Sequence, residues 1–270
     1  PPSRWRIRHL PEEVGKAAVN LGQELRELVS FTGELSVVAA AALLRPWRVR
    51  WLDVLRVMEL AGVQALFIVV LVGFLMGLIM AFQSAVAMRQ FGAEIFVADL
   101  VGLSMLRELG PLMTAVLLAG RTGSAFAAEL GTMRIREEID ALTTMGLGPV
   151  PFLVLPRVLG AVLVTPLLTV LADLAGVLGG ALVLWGMGIP PVAYFNEMLI
   201  NVSYVDMLGG LFKALVFGIL VAAIGCLRGL HAGRGPSAVG EATTSAVVSG
   251  IILIALTDGV FAIVYYILDI

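Results

Sequence analysis

The sequence predicts an all-α integral membrane protein. An N-terminal amphipathic, interfacial helix precedes about five core spans, and a charged amphipathic helix lies between the second and third. Three observations predict this. Charged residues are only 14% of the 270, against about a quarter in soluble domains, too few to build a water-facing shell. Mean hydropathy is +0.98. No Asp, Glu, Lys or Arg occurs from Leu60 to Met88, which is ample to cross a hydrocarbon core of about 30 Å.

The elements follow in order. Residues 12–44 read as helix, with Val14, Ala18, Leu21, Leu25 and Leu28 at three- and four-residue intervals opposite Glu, Lys and Arg. Its second part, FTGELSVVAAAALL, is only 14 residues long and contains Glu34, which suits an interfacial or re-entrant helix. RPWRVRW (45–51) has the Arg and Trp composition of an interface anchor. The first span covers 60–88. QFGAEIFVADLVGLSML (90–106) carries Glu94 and Asp99 and is too short and polar to cross by itself. The second span runs from about 108 to 130, the third from 157 to 187, the fourth from 205 to 228 and the fifth from 245 to 268. The first domain boundary is placed at 59/60, with 60–270 as the membrane-spanning body.

Nine of the eighteen Lys and Arg precede the first span: Arg4, Arg6, Arg8, Lys16, Arg26, Arg45, Arg48, Arg50 and Arg56. Arg134, Arg136, Arg157, Arg228 and Arg234 fall in turns on the same side. The positive-inside rule therefore places the N-terminus in the cytoplasm and the C-terminus outside, with Arg89 and Arg107 against the trend. RWRIRHLPEEVGK leads into a polar helix, not into a short apolar h-region, so no cleaved leader is expected. One cysteine, Cys226, excludes an internal disulfide. His9 and His231 lie far apart, so no metal site is expected. The only Gly-Lys pair, Gly15-Lys16, is followed by Ala17, so the chain has no P-loop. Catalysis by this chain is not expected, nor a cofactor of its own. GRGPSAVG (233–240) reads as a plain loop.

Ile135, Ile139, Leu142 and Met145 share one face of an amphipathic helix over 131–146, with Arg134, Arg136, Glu137, Glu138 and Asp140 over much of the rest. Thr132 can cap its start, and Gly146 with Pro149 can stop it. Two roles fit: a solvated connector, or a docking helix that seats its apolar stripe in a partner's groove. Upstream, GRTGSAFAAELG is dense in small residues that let helices approach closely, and Arg121 and Glu129 share a face. Arg107 and Glu108, in LRELGP, either meet an anionic head group or form an interface ion pair. Asp173 and Asp258 lie within spans, where neighbouring helices are expected to satisfy them.

Residues 105–160, MLRELGPLMTAVLLAGRTGSAFAAELGTMRIREEIDALTTMGLGPVPFLVLPRVLG, resemble the signature region of the MlaE/YrbE permeases, and the resemblance extends over nearly the whole chain. Thr122 stands where the family has Ala, a conservative departure. The resemblance implies the membrane subunit of an ABC transporter that moves phospholipids between the inner membrane and a periplasmic MCE-type carrier, maintaining outer-membrane lipid asymmetry. Sterol or fatty-acid import of the Mce type, or a non-energised scaffold or scramblase, are the alternatives. It further implies a homodimer with a lipid cavity at its interface and an MCE-domain ring above. A cytoplasmic ATPase dimer, with or without a small STAS-type subunit, would bind the ATP and dock on a coupling helix over 132–146. DALTTMG (140–146) also looks like the EAA-x-x-x-G docking signature of ABC importers. The residues that carry over to the lipid cavity are Met80, Gln83, Ala87, Phe91, Arg107, Glu108 and Leu109. Those that carry over to ATPase coupling are Arg134, Arg136, Glu137, Glu138, Asp140, Leu142 and Met145.

Overall fold

The computed structural model describes residues 10–233 and 235–268, all helical apart from short connections. Arg4, Arg6, Arg8, His9 and Arg234 lie outside the described residues, as do the side chains of Val14, Lys16, Ala18, Leu21 and Leu25. The chain divides into two units, residues 1–49 and 50–270. The first holds α1 (Leu10–Leu44), one continuous helix of 35 residues, and a 3-10 turn over Pro46–Arg48. Proline suits that turn because its ring presets φ and the missing N–H is not needed at a helix start.

Among the described residues, the second unit contains five helices long and apolar enough to cross a membrane. α2 (Trp51–Arg89) is the first, starting nine residues before the charge-free run. Its buried residues recur every fourth position: Ala61, Ala65, Val69, Gly73, Gly77, Ala81 and Ala85. They form a ridge that packs along α7 (Leu155–Gly186), whose own buried row is Gly160, Val164, Leu168, Ala172, Gly176 and Gly180. Two such i+4 ridges interlock when both are small. A Cβ on Gly77 would overlap the carbonyl oxygen of Gly176, and one on Gly73 would come within 2.6 Å of the Ala172 oxygen. The backbones meet because side chains are absent.

The second span differs from expectation. It is one composite helix over Glu94–Ile135, not a short polar segment followed by a separate span. A 3-10 turn (Glu94–Phe96) opens it, and α3 (Val97–Ser104), α4 (Gly110–Leu118) and α5 (Ser124–Ile135) are joined by π turns at Met105–Leu109 and Ala119–Gly123. Glu94 and Asp99 interrupt the hydropathy but not the backbone hydrogen bonding. Asp99 gains a partner, accepting from Asn201 Nδ2 at 3.0 Å.

After α5 comes α6 (Glu138–Thr144), then a π turn over Val150–Val154 that runs into α7. The connection between α7 and the next span is mostly α8 (Pro191–Asn201). It is held by Tyr194, fully buried, whose hydroxyl donates to the Val177 carbonyl at 3.2 Å. Burial raises the Tyr194 phenol above its usual titration range. α9 (Tyr204–Leu230) starts with a capping box in which Ser203 and Asp206 exchange side chain and backbone bonds. α10 (Pro236–Leu268) is the last span. Among the described residues, one apolar cluster gathers around Phe217, Leu118 and Leu168 and another around Tyr194, Met105 and Val101.

Candidate functional site

The π turn at Met105–Leu109 sets the first part of the site. Pro111 has no N–H to give the preceding turn, and Gly110 and Gly210 bring two neighbouring helices against it. A Cβ on Gly110 would collide with Asp173 Oδ1, and one on Gly210 with the Leu106 carbonyl oxygen. In this close packing Lys213 of α9 is fully buried. Its ammonium donates to Glu108 Oε2 at 2.6 Å and to Asp258 Oδ1 of α10 at 3.0 Å. Beside it, Arg107 pairs with Asp206 at 3.2 Å, and Asp206 in turn accepts from the Ser203 backbone N–H at 3.0 Å. The Tyr265 ring lies against both cations, 5.6 Å from the Arg107 guanidinium and 5.4 Å from Lys213 Nζ, and its hydroxyl donates to the Gly209 carbonyl. Three carboxylates and two cations from three helices thus form one network inside the bundle. Such groups persist in an apolar medium only when they are mutually paired.

The predicted cavity residues separate into three environments. Met80 and Leu109 both pack against the cluster around Tyr194. Gln83, Ala87 and Phe91 lie on the exposed side, away from the α2 ridge. Arg107 and Glu108 do not pair with each other; each is engaged by α9. Asp258 is satisfied as expected, whereas Asp173, 4% exposed, keeps an Oδ1 with no hydrogen-bond partner among the described residues. Arg121 donates to Gln64 at 2.9 Å, and Glu129 pairs with Arg157 at 2.9 Å.

The segment expected as a single amphipathic helix over 132–146 is two pieces. Thr132 is inside α5 and donates back to the Ala128 carbonyl, so it does not cap. The helix stops at Ile135, and Glu137 adopts a left-handed conformation with φ of 59°. The chain then turns into the short α6, which ends before Gly146 at φ of 80°. The turn is held by ion pairs from Arg134 to Asp140 at 2.9 Å and from Arg136 to Glu138 at 3.8 Å. Of the apolar stripe, Ile139 is buried, Leu142 is partly covered, and Ile135 and Met145 are 37% and 66% exposed. The break follows from the charge run: Arg136, Glu137 and Glu138 lack an apolar face that would hold a straight helix against the bundle.

The family model described as Permease MlaE matches residues 54–264. The chain belongs to the MlaE permease family. A probable ABC transporter permease protein of Rickettsia conorii is 36% identical over 251 residues, covering 93% of this chain and 95% of that relative. The intermembrane phospholipid transport system permease protein MlaE of Haemophilus influenzae is 34% identical over 77% of this chain and 81% of its own length. The chloroplastic protein trigalactosyldiacylglycerol 1 of Arabidopsis thaliana is 30% identical over 85% of this chain and 67% of its own.

In this MlaE permease three network residues escaped the reading of the sequence: Lys213, Asp206 and Tyr265. Lys213 carried a signal, since a lysine flanked by GGLF and ALVF inside a span demands a buried counter-charge. Asp206 reads as a helix cap, which it also is, and Tyr265 carries no signal of its own.

Proposed function

We propose that this MlaE permease is the membrane subunit of an ABC transporter moving phospholipid between the inner membrane and a periplasmic MCE-type carrier, and so maintains outer-membrane lipid asymmetry. The observation that carries this reading is the broken, charge-laced turn between α5 and α6. It projects exposed apolar and charged side chains at the end of a helix that also holds the buried network. The Haemophilus relative, named as an intermembrane phospholipid transport permease, supports the phospholipid assignment. On this reading the N-terminus and the 131–156 segment are cytoplasmic and the C-terminus is periplasmic. The permease works as a homodimer, with a cytoplasmic ATPase dimer, with or without a small STAS-type subunit, seated on residues 134–145 and an MCE ring above. ATP-driven closure of the ATPases moves the α6 turns together, and the rigid α3–α5 helix carries that motion to a lipid cavity walled by Met80, Gln83, Ala87, Phe91 and the Arg107–Leu109 turn. ATP is bound by the partner and not by this chain.

The test is a charge swap. Arg136 and Glu138 are 70% and 47% exposed and 3.8 Å apart. Exchanging them, Arg136→Glu with Glu138→Arg, keeps their mutual pair and inverts only what a partner meets. The double variant is expected to fold normally, lose the ATPase on co-purification and stop lipid transfer. Retained ATPase and wild-type transfer would overturn the docking role.

A further inference from the structure

α2 carries only two amide side chains between Glu59 and Arg89, Gln64 and Gln83. They are 19 residues apart, or about 28 Å at 1.5 Å per residue. That matches a hydrocarbon core of about 30 Å, so the two glutamines are spaced as the two edges of such a core are. Gln83 belongs to the predicted cavity wall. Gln64 lies toward the end of the bundle that carries the α5–α6 turn, and it accepts a hydrogen bond from Arg121 Nη2 at 2.9 Å.

This pair borders a groove of about 240 Å³ between α2 and α5, walled by Val57, Leu60, Ala125 and Phe126, with the Glu129 side chain also lining it. The bond to Gln64 occupies one of the five N–H donors of the guanidinium. Arg121 makes no ion pair among the described residues, because the nearby carboxylate, Glu129, is taken by Arg157 at 2.9 Å. Exposed Phe67 and Leu71 continue along α2 on the hydrocarbon side of Gln64. An un-neutralised guanidinium at head-group depth, with a small groove toward water and apolar side chains toward the core, has the polarity order of a phospholipid.

We propose that Arg121 and Gln64 bind the phosphate of a phospholipid in this edge of the bilayer, its head group in the α2–α5 groove and its chains beside Phe67 and Leu71. The site is separate from the transport cavity of the proposed function and does not depend on it. Arginine suits the role because its fork bonds two phosphate oxygens at once, and basic sites between helices at the membrane edge take lipid head groups in this way.

The test is native mass spectrometry of the delipidated, intact chain titrated with dioleoylphosphatidylglycerol, dioleoylglycerol or inorganic phosphate. Arg121→Gln is expected to weaken phosphatidylglycerol binding about tenfold, the loss of one charge-assisted contact. Ala125→Trp, which fills the groove and leaves the Arg121–Gln64 bond in place, is expected to do the same, so a folding defect in one variant cannot imitate the result. Arg89→Gln, near the opposite edge, is expected to change nothing. Dioleoylglycerol, lacking phosphate, is expected to be unaffected by Arg121→Gln. Unchanged phosphatidylglycerol binding in Arg121→Gln and Ala125→Trp, or an equal loss in Arg89→Gln, would overturn the site. If inorganic phosphate displaces the lipid at matched concentration, the groove is a free-anion site and the lipid assignment falls.

Discussion

Replacing Lys213 by methionine removes one cation from between two carboxylates. The ammonium lies 2.6 Å from Glu108 and 3.0 Å from Asp258, and it is fully buried. At an effective dielectric of about 20, those contacts contribute about 6 and about 5.5 kcal/mol of gross Coulomb attraction. Most of this is offset by the cost of taking the lysine and its partners out of water, several kcal/mol for each ion. What remains is the penalty of stranding the carboxylates, about 3–5 kcal/mol for a wholly buried pair. The Glu108 side chain is 38% accessible and that of Asp258 is 19%, so both can recover some solvation and the lower end applies. Lys213→Met is therefore expected to cost about 3 kcal/mol, roughly a hundredfold in the unfolding equilibrium. Denaturant-induced unfolding in mixed micelles, followed by tryptophan fluorescence, measures this. The triple variant Lys213→Met, Glu108→Gln, Asp258→Asn has no stranded charge and is expected to regain most of the loss. A single variant within 0.5 kcal/mol of wild type, or a triple no better than the single, would refute the electrostatic account.

Two further expectations concern the backbone and pH. Glu137 holds φ at 59°, a conformation that costs a β-carbon residue about 1 kcal/mol, so Glu137→Gly is expected to stabilise the α5–α6 turn, whereas Glu137→Val, branched at Cβ, is expected to loosen it. Protease cutting between residues 134 and 140 reads both, and faster cutting of the glycine variant would contradict the expectation. Tyr194 is buried and its phenol is raised above the usual value of 10.0. The unfolded chain therefore releases this proton first, and the stabilising contribution, complete below about pH 10, is lost as pH rises further. Tyr194→Phe is expected to lower stability by about 1 kcal/mol at neutral pH and to flatten the alkaline fall, measured as micelle unfolding against pH. An unchanged alkaline slope would assign the fall to other groups.

Much of this fold was legible because long apolar runs leave few choices in a membrane. The five spans follow from long, mostly apolar runs, of which only the first is free of charge, and the Gly146 stop from the need for positive φ. The composite helix over 94–135 was not legible. Glu94 and Asp99 look like loop residues to any hydropathy count, and only the tertiary bond from Asn201, 102 residues away, shows how Asp99 is accommodated. The break at Glu137 was hidden for a related reason: Ile135, Ile139, Leu142 and Met145 keep helical spacing in the sequence although α5 stops at Ile135 and α6 starts only at Glu138. The site divided likewise. Arg107 and Glu108 stood out by residue type, but their partners Asp206 and Lys213 lie about 100 positions further on, and no local pattern links them.

The two π turns of the composite helix have a common geometric cause. Gly210 of α9 seats against the Leu106 carbonyl in the first π turn, and Gly225 seats against the Gly123 carbonyl at the end of the second. The helices run in the same direction, so these contacts fix two points on each. Between them α9 uses 15 residues and the composite helix 17. A regular α-helix of 17 residues would overshoot by about 3 Å at 1.5 Å per residue, and one seat would be lost. Each π turn accommodates one extra residue within the same rise, so two of them restore the match. The turns are thus what lets both glycine seats close at once. The first places Arg107 and Glu108 against α9, and the second places Arg121 beside Gln64 at the bilayer edge. Because α5 continues from the second seat to the α6 turn, motion at α6 meets a helix pinned at two points, and the buried charge network lies at the further pin.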